Sequence, residues 1–357
     1  MKKSNYHVLG IMSGTSLDGI DIAQLWFTVS AKGDWSYKIG AAETVPYIEA
    51  MRLELKQAIT WSRESIDGLN ERYTKQLAQK ISKFIKKNEI HNLDAVCSHG
   101  HTILHQPENG LTLQIGNLPN ISEILKQKVV CDFRVQDVLL GGQGAPLVPI
   151  GDQLLFSDYD YCLNLGGFAN LSTNNNNARI AYDICPVNVV LNQLCESLGL
   201  PFDDEGKIAR NGNVDAVVLE KLNELSFYHT VPPKSLGLEW VKENILPVLQ
   251  QSNLSKEDAI ATFTAHAAWQ IASQCKEYKS LLVTGGGAYN TYLLERIANH
   301  KNLALVLPVT KLLEYKEALI FGLLGVLKLR DENNCLSSVT GAHHDHSSGK
   351  IYEFINT

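Results

Sequence analysis

Glycine-rich turns that directly follow apolar strands constrain this chain more than any other feature. Three of them occur in the 357 residues, reading MSGTSLDG, NLGGFAN and VTGGGAYN. A glycine turn lets backbone N–H groups approach an anion without a Cβ in the way, and Ser and Thr hydroxyls add donors. One such turn is usually only a turn. Three of them, each placed after an apolar run, predict phosphate binding at the ends of strands.

The order of predicted elements around these turns is the same in both halves of the chain. Each half begins with three strands, the first two joined by a glycine turn, and continues with alternating helices and strands. The predicted strands of the two openings are 7–13, 20–29, 35–44, 161–165, 171–172 and 179–183. We therefore expect an α/β protein built from two duplicated βββαβαβα halves around a ligand-binding cleft.

The length and the breaker residues place a boundary between the halves. A chain of 357 residues is long enough for two domains that each bury a core. The cluster GGQGAP at 141–146 interrupts the pattern and is the expected junction. We therefore expect an N-terminal subdomain at 1–143 and a C-terminal subdomain at 144–357.

Composition limits the classes of binding partner and the cellular compartment that we expect. The net charge of −6 argues against nucleic acid, because binding to phosphate backbones needs a basic face. The longest apolar run, 318–327, is too short to span a bilayer, so no membrane partner is expected. The seven cysteines form no CxxC pair, which favours reduced, buried thiols in a cytoplasmic protein. The stretch HHDH at 343–346 has no evident partner ligands and is expected to be a solvated loop.

Several well-known nucleotide and catalytic motifs are missing from the sequence. It has no GxxxxGK[ST], no GxGxxG opening a helix after the first strand, and no HExxH. Ser16 lies in GTSLD, which lacks the second glycine of a GxSxG nucleophile elbow. The duplicated order with three glycine turns instead resembles the superfamily of actin, sugar kinases and heat-shock-chaperone ATPases. In that superfamily two hairpins clamp the phosphates and a late glycine cluster lies beside adenosine.

A closer resemblance extends over nearly the whole chain. Between residues 10 and 342 stand, in order, GIMSGTSLDGID, SHGHT, TLQIGN, DFR, GGQGAPLVP, NLGGFANLS, PPKS, GGGAYN and VTGA. This series resembles the anhydro-N-acetylmuramic acid kinases, and GTSLDGID and GGQGAPLVP are long enough to be specific to that family. The resemblance implies a two-domain actin-like ATPase fold of the ribonuclease H-like type. It also implies ATP-dependent hydrolytic opening of 1,6-anhydro-N-acetylmuramic acid with phosphorylation of O6, giving N-acetylmuramic acid 6-phosphate and ADP in peptidoglycan recycling.

The resemblance assigns the glycine turns to ATP and Mg²⁺. The first turn corresponds to the family's ATP segment, where glycines leave the backbone open and hydroxyls donate hydrogen bonds. Asp18 or Asp21 would hold Mg²⁺, which prefers oxygen ligands, and a strand-start aspartate that caps the turn is the alternative for Asp21. The expected ATP-binding residues are Gly14, Thr15, Ser16, Leu17, Asp18, Gly19, Ile20, Asp21, Gly166, Gly167, Asn170, Gly285, Gly286, Gly287 and Asn290.

Asp183, in AYDICPVN, is the expected catalytic residue. The family carries its catalytic aspartate here, where a general base would activate the water that attacks the anomeric carbon. An N-cap ahead of Pro186 is the structural alternative for the same side chain. The family pattern is close to DTGPGN, and this chain has Ile184, Cys185 and Val187 in place of the small residues. We expect these larger side chains to occupy space in which backbone could approach a ligand.

The remaining motifs imply a sugar site. Arg134 in DFR would form a fork with the lactyl carboxylate, and a structural pair with Asp132 is the alternative. Glu317 matches a family glutamate at the start of the last helix, where the helix dipole also favours an exposed first-turn glutamate. Lys234 in PPKS would screen phosphate or lie in a mobile lid loop. The expected substrate-binding residues are Arg134, Glu317, Asp132, His99, Thr102 and Gln114.

Two other classes of function stay open at this point. A chaperone-like or polymerising actin-fold ATPase would release ADP without sugar, and the sequence disfavours the chaperone because it predicts no substrate-binding β domain or long C-terminal lid. A catalytically silent relative would bind sugar without turnover, and only the altered DICPVN loop suggests it. Members of the family are typically homodimers, so the resemblance implies a homodimer as well.

Overall fold

Two sheets, one in each of two compact units, organise the chain. The structure is a computed structural model that describes residues 2–14, 17–176 and 178–355. Unit one consists of Met1–Leu155 and Tyr315–Thr357, and unit two of Phe156–Glu314. All seven cysteines are buried thiols, as the sequence predicts. The described helices include none whose length and apolar content would let it cross a lipid bilayer.

The first part of the chain, up to residue 155, contains most of unit one. Its strands are β1 (Asn5–Ser13), β2 (Gly19–Val29), β3 (Trp35–Pro46), β4 (Ala95–Gln106), β5 (Leu111–Ile115) and β6 (Val129–Cys131). Its α-helices are α1 (Glu49–Gln57), α2 (Arg63–Lys87), α3 (Ile121–Leu125), α4 (Val135–Leu139) and α5 (Pro149–Leu155). Short 3₁₀ turns cover Ala58–Thr60 and Pro107–Asn109.

The second part contains unit two and then returns to unit one. Its strands are β7 (Tyr161–Leu165), β8 (Phe168–Asn175), β9 (Ala178–Pro186), β10 (Ser280–Thr284), β11 (Ala304–Val306) and β12 (Lys350–Tyr352). Its α-helices are α6 (Asn188–Glu196), α7 (Lys207–Asn211), α8 (Ala216–Asn223), α9 (Leu238–Trp240), α10 (Leu246–Gln250), α11 (Lys256–Ser273), α12 (Thr291–His300), α13 (Thr310–Leu329) and α14 (Ser337–Thr340). A π-helical turn at Val241–Ile245 joins α9 to α10, and 3₁₀ turns cover Asp204–Gly206, Ser226–His229 and Gly286–Tyr289.

The two sheets repeat one topology. In unit one the order β6-β4-β1-β2-β3 has antiparallel pairs along β1-β2-β3 and parallel pairs along β1-β4-β6. In unit two the order β11-β10-β7-β8-β9 has the same antiparallel and parallel pairs in the same places. This confirms the predicted duplication of an α/β half with the strand order of the ribonuclease H-like fold.

The end of the chain belongs to the first unit. Strand β12 pairs antiparallel with β6, and α13 lies against β1 and β4 after a break in helical geometry at Tyr315. A Cβ at Gly10 would collide with the Ala318 carbonyl, and one at Gly325 would collide with Cys97. Glycine therefore permits this close packing of helix on sheet. Because residues 315–357 return to unit one, the two compact units do not coincide with the expected subdomains 1–143 and 144–357.

Candidate functional site

The first glycine turn joins β1 to β2 in unit one. Thr15 and Ser16 lie outside the described residues, so their expected contacts to ATP stay predictions. Leu17 has a positive φ of 60° and donates its N–H to the Gly14 carbonyl at 3.3 Å. A Cβ at Gly19 would lie 2.8 Å from the Val45 carbonyl oxygen, so the neighbouring strand β3 requires glycine there. On either side of residues 15–16, the described backbone is therefore held by the Leu17–Gly14 hydrogen bond and by the close approach of Gly19 to β3.

The acidic residues of this turn differ in their surroundings. Asp18 is exposed, and Ile20 is buried in the core of unit one. Asp21 is half-buried on β2, where its Oδ1 accepts a hydrogen bond from Thr44 Oγ1 at 2.6 Å across the β2–β3 pair. This hydrogen bond ties Asp21 to the neighbouring strand, and both the Mg²⁺ role and the turn-capping alternative stay predictions.

The second glycine turn, Gly166–Gly167, joins β7 to β8 in unit two. The Gly167 carbonyl accepts hydrogen bonds from the N–H groups of Val187 at 2.8 Å and Val189 at 3.2 Å. A Cβ at Gly167 would lie 2.7 Å from Val189 Cγ1. The turn is therefore fixed against the start of α6, and glycine is required by this close approach.

The third glycine cluster follows β10. Gly285 has φ = 85°, and a Cβ there would lie 2.7 Å from the Leu165 carbonyl oxygen. No atom lies within 4 Å of an ideal Cβ at Gly286, which leaves open space beside the backbone. Asn290 is the N-cap of α12, and its Oδ1 accepts from the Leu293 N–H at 2.9 Å. The Asn290 side chain therefore already has a structural role.

Asp183 is a half-buried carboxylate on β9, paired in register with Asn170 of β8. Its Oδ2 accepts a hydrogen bond from the Leu236 N–H at 2.9 Å, and its own N–H donates to the Lys234 carbonyl at 3.0 Å. Within the described part of the chain, Oδ1 accepts no hydrogen bond. Burial raises the pKa of Asp183, and the Leu236 N–H opposes part of this rise. The backbone of residues 234–236 thus holds Asp183 in place.

The structure corrects two expectations about the DICPVN loop. Helix α6 begins at Asn188 and its N-cap is Val187, without a side-chain bond, so Asp183 is not the N-cap of this helix. Ile184, Cys185 and Val187 are fully buried in the core of unit two. Contrary to expectation, the larger side chains therefore point into the core. Burial also raises the pKa of the Cys185 thiol, as expected for a packed cysteine.

Arg134 lies at the start of α4 in unit one and is fixed at two of its three nitrogens. Nε donates to His99 Nε2 at 2.9 Å, and Nη1 donates to the Gly144 carbonyl at 2.6 Å. A guanidinium has five N–H donors, so one on Nη1 and two on Nη2 remain without an acceptor among the described residues. The end of the guanidinium that binds a carboxylate as a fork is therefore still available.

His99 is a neutral, buried histidine that positions Arg134. Its Nδ1 lies 3.0 Å from the Gly100 carbonyl and donates to it, which leaves Nε2 as the acceptor for Arg134. Burial and the neighbouring guanidinium hold the pKa of His99 well below its usual value. Both ring nitrogens are engaged inside the protein, so the ring has no nitrogen left for a sugar hydroxyl.

Thr102 and Gln114 face each other across the β4–β5 pair. Gln114 Nε2 donates to Thr112 Oγ1 at 2.9 Å and to Thr102 Oγ1 at 3.3 Å. Gln114 Oε1 and Asn117 Oδ1 are buried and accept no hydrogen bond from the described residues. A buried amide oxygen without a donor is costly, so these two oxygens are suited to accept from a bound ligand.

Asp132 and Glu317 have different partners from those considered in the sequence. Asp132, at a positive φ of 62°, pairs with Lys350 of β12 at 2.6 Å, so the alternative of a structural pair with Arg134 is wrong. Helix α13 is interrupted by non-helical geometry at Tyr315, so Glu317 lies in the first turn of the helical segment that follows the break, as expected for the start of the last helix. Glu317 is exposed to solvent by its accessible area, yet many protein atoms surround its carboxyl group. The resulting desolvation raises the pKa of Glu317, and the positive charge of Arg134 opposes this rise.

One polar cluster of unit one was not predicted from the sequence. Ser13 Oγ lies 2.5 Å from the Tyr47 hydroxyl and 2.8 Å from His101 Nδ1, and the Tyr47 and Tyr73 hydroxyls are 2.6 Å apart. Burial lowers the pKa of His101 to about 4. Ser13 and His101 both belong to conspicuous motifs, MSG and SHGHT, whereas Tyr47 and Tyr73 enter through tertiary packing that no local pattern indicates.

The family model and the sequence relatives agree on one family. A model of the family described as anhydro-N-acetylmuramic acid kinase matches residues 6–354. A protein of that name from Pseudomonas syringae pv. syringae (strain B728a) is 32% identical over 376 residues, covering 98% of this chain and 99% of that protein. Another of that name, from Bacillus cereus (strain 03BB102), is 30% identical and covers 97% and 98%. Component A of (R)-2-hydroxyglutaryl-CoA dehydratase from Acidaminococcus fermentans aligns with a TM-score of 0.46 at 13% identity, covering 88% and 95%.

Proposed function

The chain belongs to the anhydro-N-acetylmuramic acid kinase family, and we propose that it uses ATP and water to convert 1,6-anhydro-N-acetylmuramic acid to N-acetylmuramic acid 6-phosphate and ADP. The observation that carries the proposal is Asp183, a half-buried carboxylate with one oxygen anchored and the other without a hydrogen bond in the described structure. The reaction would recover a peptidoglycan sugar in the cytoplasm.

Asp183 would act as the general base. It takes a proton from the water molecule whose oxygen attacks the anomeric carbon C1. The C1–O6 bond breaks, and the freed O6 attacks the γ-phosphorus of ATP while the bond to the β,γ-bridging oxygen breaks and ADP leaves. A positioned base contributes roughly 10²–10⁴ in rate. Burial raises the pKa of Asp183, which makes the carboxylate a stronger base.

The glycine turns would bind the nucleotide. Gly286 has open space beside its backbone, and the turn at 14–18 carries hydroxyl and acidic side chains. The carboxylates of Asp18 and Asp21 fit Mg²⁺, because a hard cation prefers oxygen donors. The ion would neutralise phosphate charge when bound. Separate substitution of Asp18 and of Asp21 would identify the carboxylate that binds the ion directly.

The sugar would bind to unit one. The three remaining N–H donors of Arg134 would bind the lactyl carboxylate. The unpartnered oxygens of Gln114 and Asn117 would accept hydrogen bonds from sugar hydroxyl or N-acetyl N–H groups. The exposed carboxylate of Glu317 adds an acceptor near Arg134.

The proposal is tested by measuring ADP release with a set of sugars. The purified protein and MgATP are mixed with 1,6-anhydro-N-acetylmuramic acid, with open-ring N-acetylmuramic acid, or with no sugar. We expect rapid ADP release with the anhydrosugar alone. ADP release at the same rate without sugar would instead support a nucleotide-driven ATPase, and sugar binding without ADP release would support a silent relative.

The homodimer implied by the family is a separate prediction, tested by sedimentation.

A further inference from the structure

A buried Asp, Cys and His cluster lies in unit one. Asp137 is on α4, Cys335 follows α13, and His346 lies in the segment before β12. The side chains are 0%, 1% and 4% exposed. One carboxylate oxygen, the thiol sulfur and one ring nitrogen all lie within 4.8 Å of one another. The sequence analysis expected HHDH to be a solvated loop. His343, His344 and Asp345 are exposed, as expected, but His346 is buried.

His346 is oriented as a ligand with an open coordination position. Its Nδ1 lies 3.1 Å from the His344 carbonyl and donates to it, so the lone pair is on Nε2 in the neutral ring. Nε2 is buried, has no hydrogen-bond partner among the described residues, and lies 3.5 Å from Asp137 Oδ1. A nitrogen lone pair facing a carboxylate oxygen is repulsive unless a proton or a metal ion lies between them. A histidine that binds a metal commonly donates its other N–H to a carbonyl in this way.

Hydrogen bonds also fix the positions of Asp137 and Cys335. Asp137 Oδ1 accepts from Thr340 Oγ1 at 2.7 Å, and Oδ2 accepts from the Gly144 N–H at 2.7 Å. The backbones of Cys335 and His346 form a reciprocal bridge, with N–H to carbonyl distances of 3.1 and 3.2 Å. This bridge brings the thiol and the imidazole to neighbouring positions.

We propose that Asp137, Cys335 and His346 bind one divalent, zinc-like cation. A carboxylate, a thiolate and a neutral imidazole together carry two negative charges, which a divalent ion neutralises inside the protein. Neighbouring ligand atoms of a tetrahedral site with bonds of about 2.0–2.3 Å are about 3.3–3.8 Å apart. The 3.5 Å between Nε2 and Oδ1 already satisfies this, and all three ligand atoms lie within 4.8 Å of one another, so they would approach by at most about 1–1.5 Å.

The ligand set separates this site from Mg²⁺ bound with ATP. Thiolate and imidazole favour zinc and similar ions, whereas Mg²⁺ prefers oxygen ligands. Coordination requires the Cys335 thiol to lose its proton, and water would complete four-coordination. The cation would connect α4 to the C-terminal segment. Asp137 also binds the Gly144 N–H, and the Gly144 carbonyl accepts from Arg134, so the site would stabilise the loop on which Arg134 rests.

The test uses the full chain without a polyhistidine tag. Metal content is measured by mass spectrometry after purification, and metal-free protein is titrated with Co²⁺, whose thiolate complex absorbs in the near ultraviolet. We expect one metal per chain, a thiolate-to-Co²⁺ band, and a lower melting temperature after metal removal. The variants C335S and H346Q should reduce occupancy at least tenfold, whereas H343A, which changes an exposed histidine of the same segment, should retain it.

Either of two results would overturn the proposal. One is wild-type protein that binds no Co²⁺ with a thiolate band even at a tenfold molar excess. The other is unchanged stoichiometry in both C335S and H346Q. If either variant does not fold, the Co²⁺ titration of the wild-type chain decides alone, because Cys335 is the one cysteine among the described residues that lies in a cluster of three potential metal ligands. The site does not depend on the proposed kinase reaction, so the two can fail separately.

Discussion

The region around Arg134 in unit one and the region around Asp183 in unit two are built differently. Arg134 is fixed by a histidine and by a carbonyl, with Nε and Nη1 both engaged. Asp183 receives a single backbone hydrogen bond, and its second oxygen accepts none from the described residues. The first region is held by two hydrogen bonds to the guanidinium, as suits the proposed sugar-binding surface. The second presents a half-buried carboxylate, as suits the proposed base.

In the proposed reaction, the Arg134 region would bind the sugar and the Asp183 region would carry out the proton transfer. A binding group is most effective when its own protein fixes it before the ligand arrives, because less freedom is lost on binding. A general base must instead keep an oxygen available and a pKa suited to proton transfer, at some expense to stability. The comparison predicts that substitutions near Arg134 affect sugar affinity, whereas substitution of Asp183 affects turnover.

The largest effect is expected for Asp183→Asn. Loss of the base should lower kcat about 10²–10⁴-fold, with little change in either KM. The amide oxygen can still accept from the Leu236 N–H, and the cost of burying a charge disappears. The melting temperature should therefore be equal or higher. Steady-state kinetics and thermal unfolding measure both quantities, with the exposed Asp158→Asn of the same unit as control. A variant with near-wild-type kcat would end the assignment of Asp183 as base.

Arg134→Lys should act mainly on sugar binding. An ammonium cannot form a fork while also bonding the His99 ring and the Gly144 carbonyl. Loss of a charged hydrogen bond of about 1.5–3 kcal/mol corresponds to about a 10–100-fold rise in KM for the anhydrosugar. The KM for ATP should not change, and Arg72→Lys on the surface of α2 should behave as wild type. Equal effects on both KM values would contradict the comparison.

The pH dependence tests the raised pKa of Asp183. As pH falls through that pKa, the base is protonated and kcat/KM should fall about tenfold per unit. The acid limb should lie above the ordinary aspartate value of 3.8. Because the folded-state pKa is raised, protonation favours the folded state, so this group stabilises the fold as pH falls through the same range. Asp183→Asn should lack the acid limb, and persistence of the limb in that variant would assign it to another group.

The smallest effect is expected for His99→Leu, which removes the acceptor for Arg134 Nε. A hydrogen bond of about 1 kcal/mol corresponds to about a fivefold rise in the KM for sugar, with kcat nearly unchanged. His99→Gln, whose oxygen can replace Nε2 as acceptor, should restore much of the affinity. A double-mutant cycle with Arg134→Lys should be non-additive. Additive effects would show that His99 acts independently of Arg134.

Local patterns in the sequence predicted the parts of the fold that depend on neighbouring residues. Alternating apolar strands around glycine turns gave both β-hairpin openings, because the turn and the strands it joins are adjacent in the chain. The duplicated order followed from the same pattern in each half. The place of Asp183 beside Asn170 also follows from a local hairpin, β8–β9.

Long-range contacts explain what could not be predicted. Strand β12 has only three residues, and its pairing with β6 gives no local signal, yet it supplies the Lys350 partner of Asp132. The same return of the chain buries His346 beside Asp137. The sequence of DICPVN does not indicate which side chains face the core, because the bulge between Ala169 and Asn170 shifts the register there.

The central claim is that one carboxylate, Asp183, activates water for a reaction that also transfers phosphate. The most direct test is turnover of 1,6-anhydro-N-acetylmuramic acid with MgATP in ¹⁸O-labelled water, followed by mass spectrometry of the sugar for wild type and Asp183→Asn. We predict a wild-type product that gains one phosphate and one ¹⁸O at C1, and almost no product from the variant. A phosphorylated sugar without ¹⁸O, or equal product from the variant, would contradict the claim.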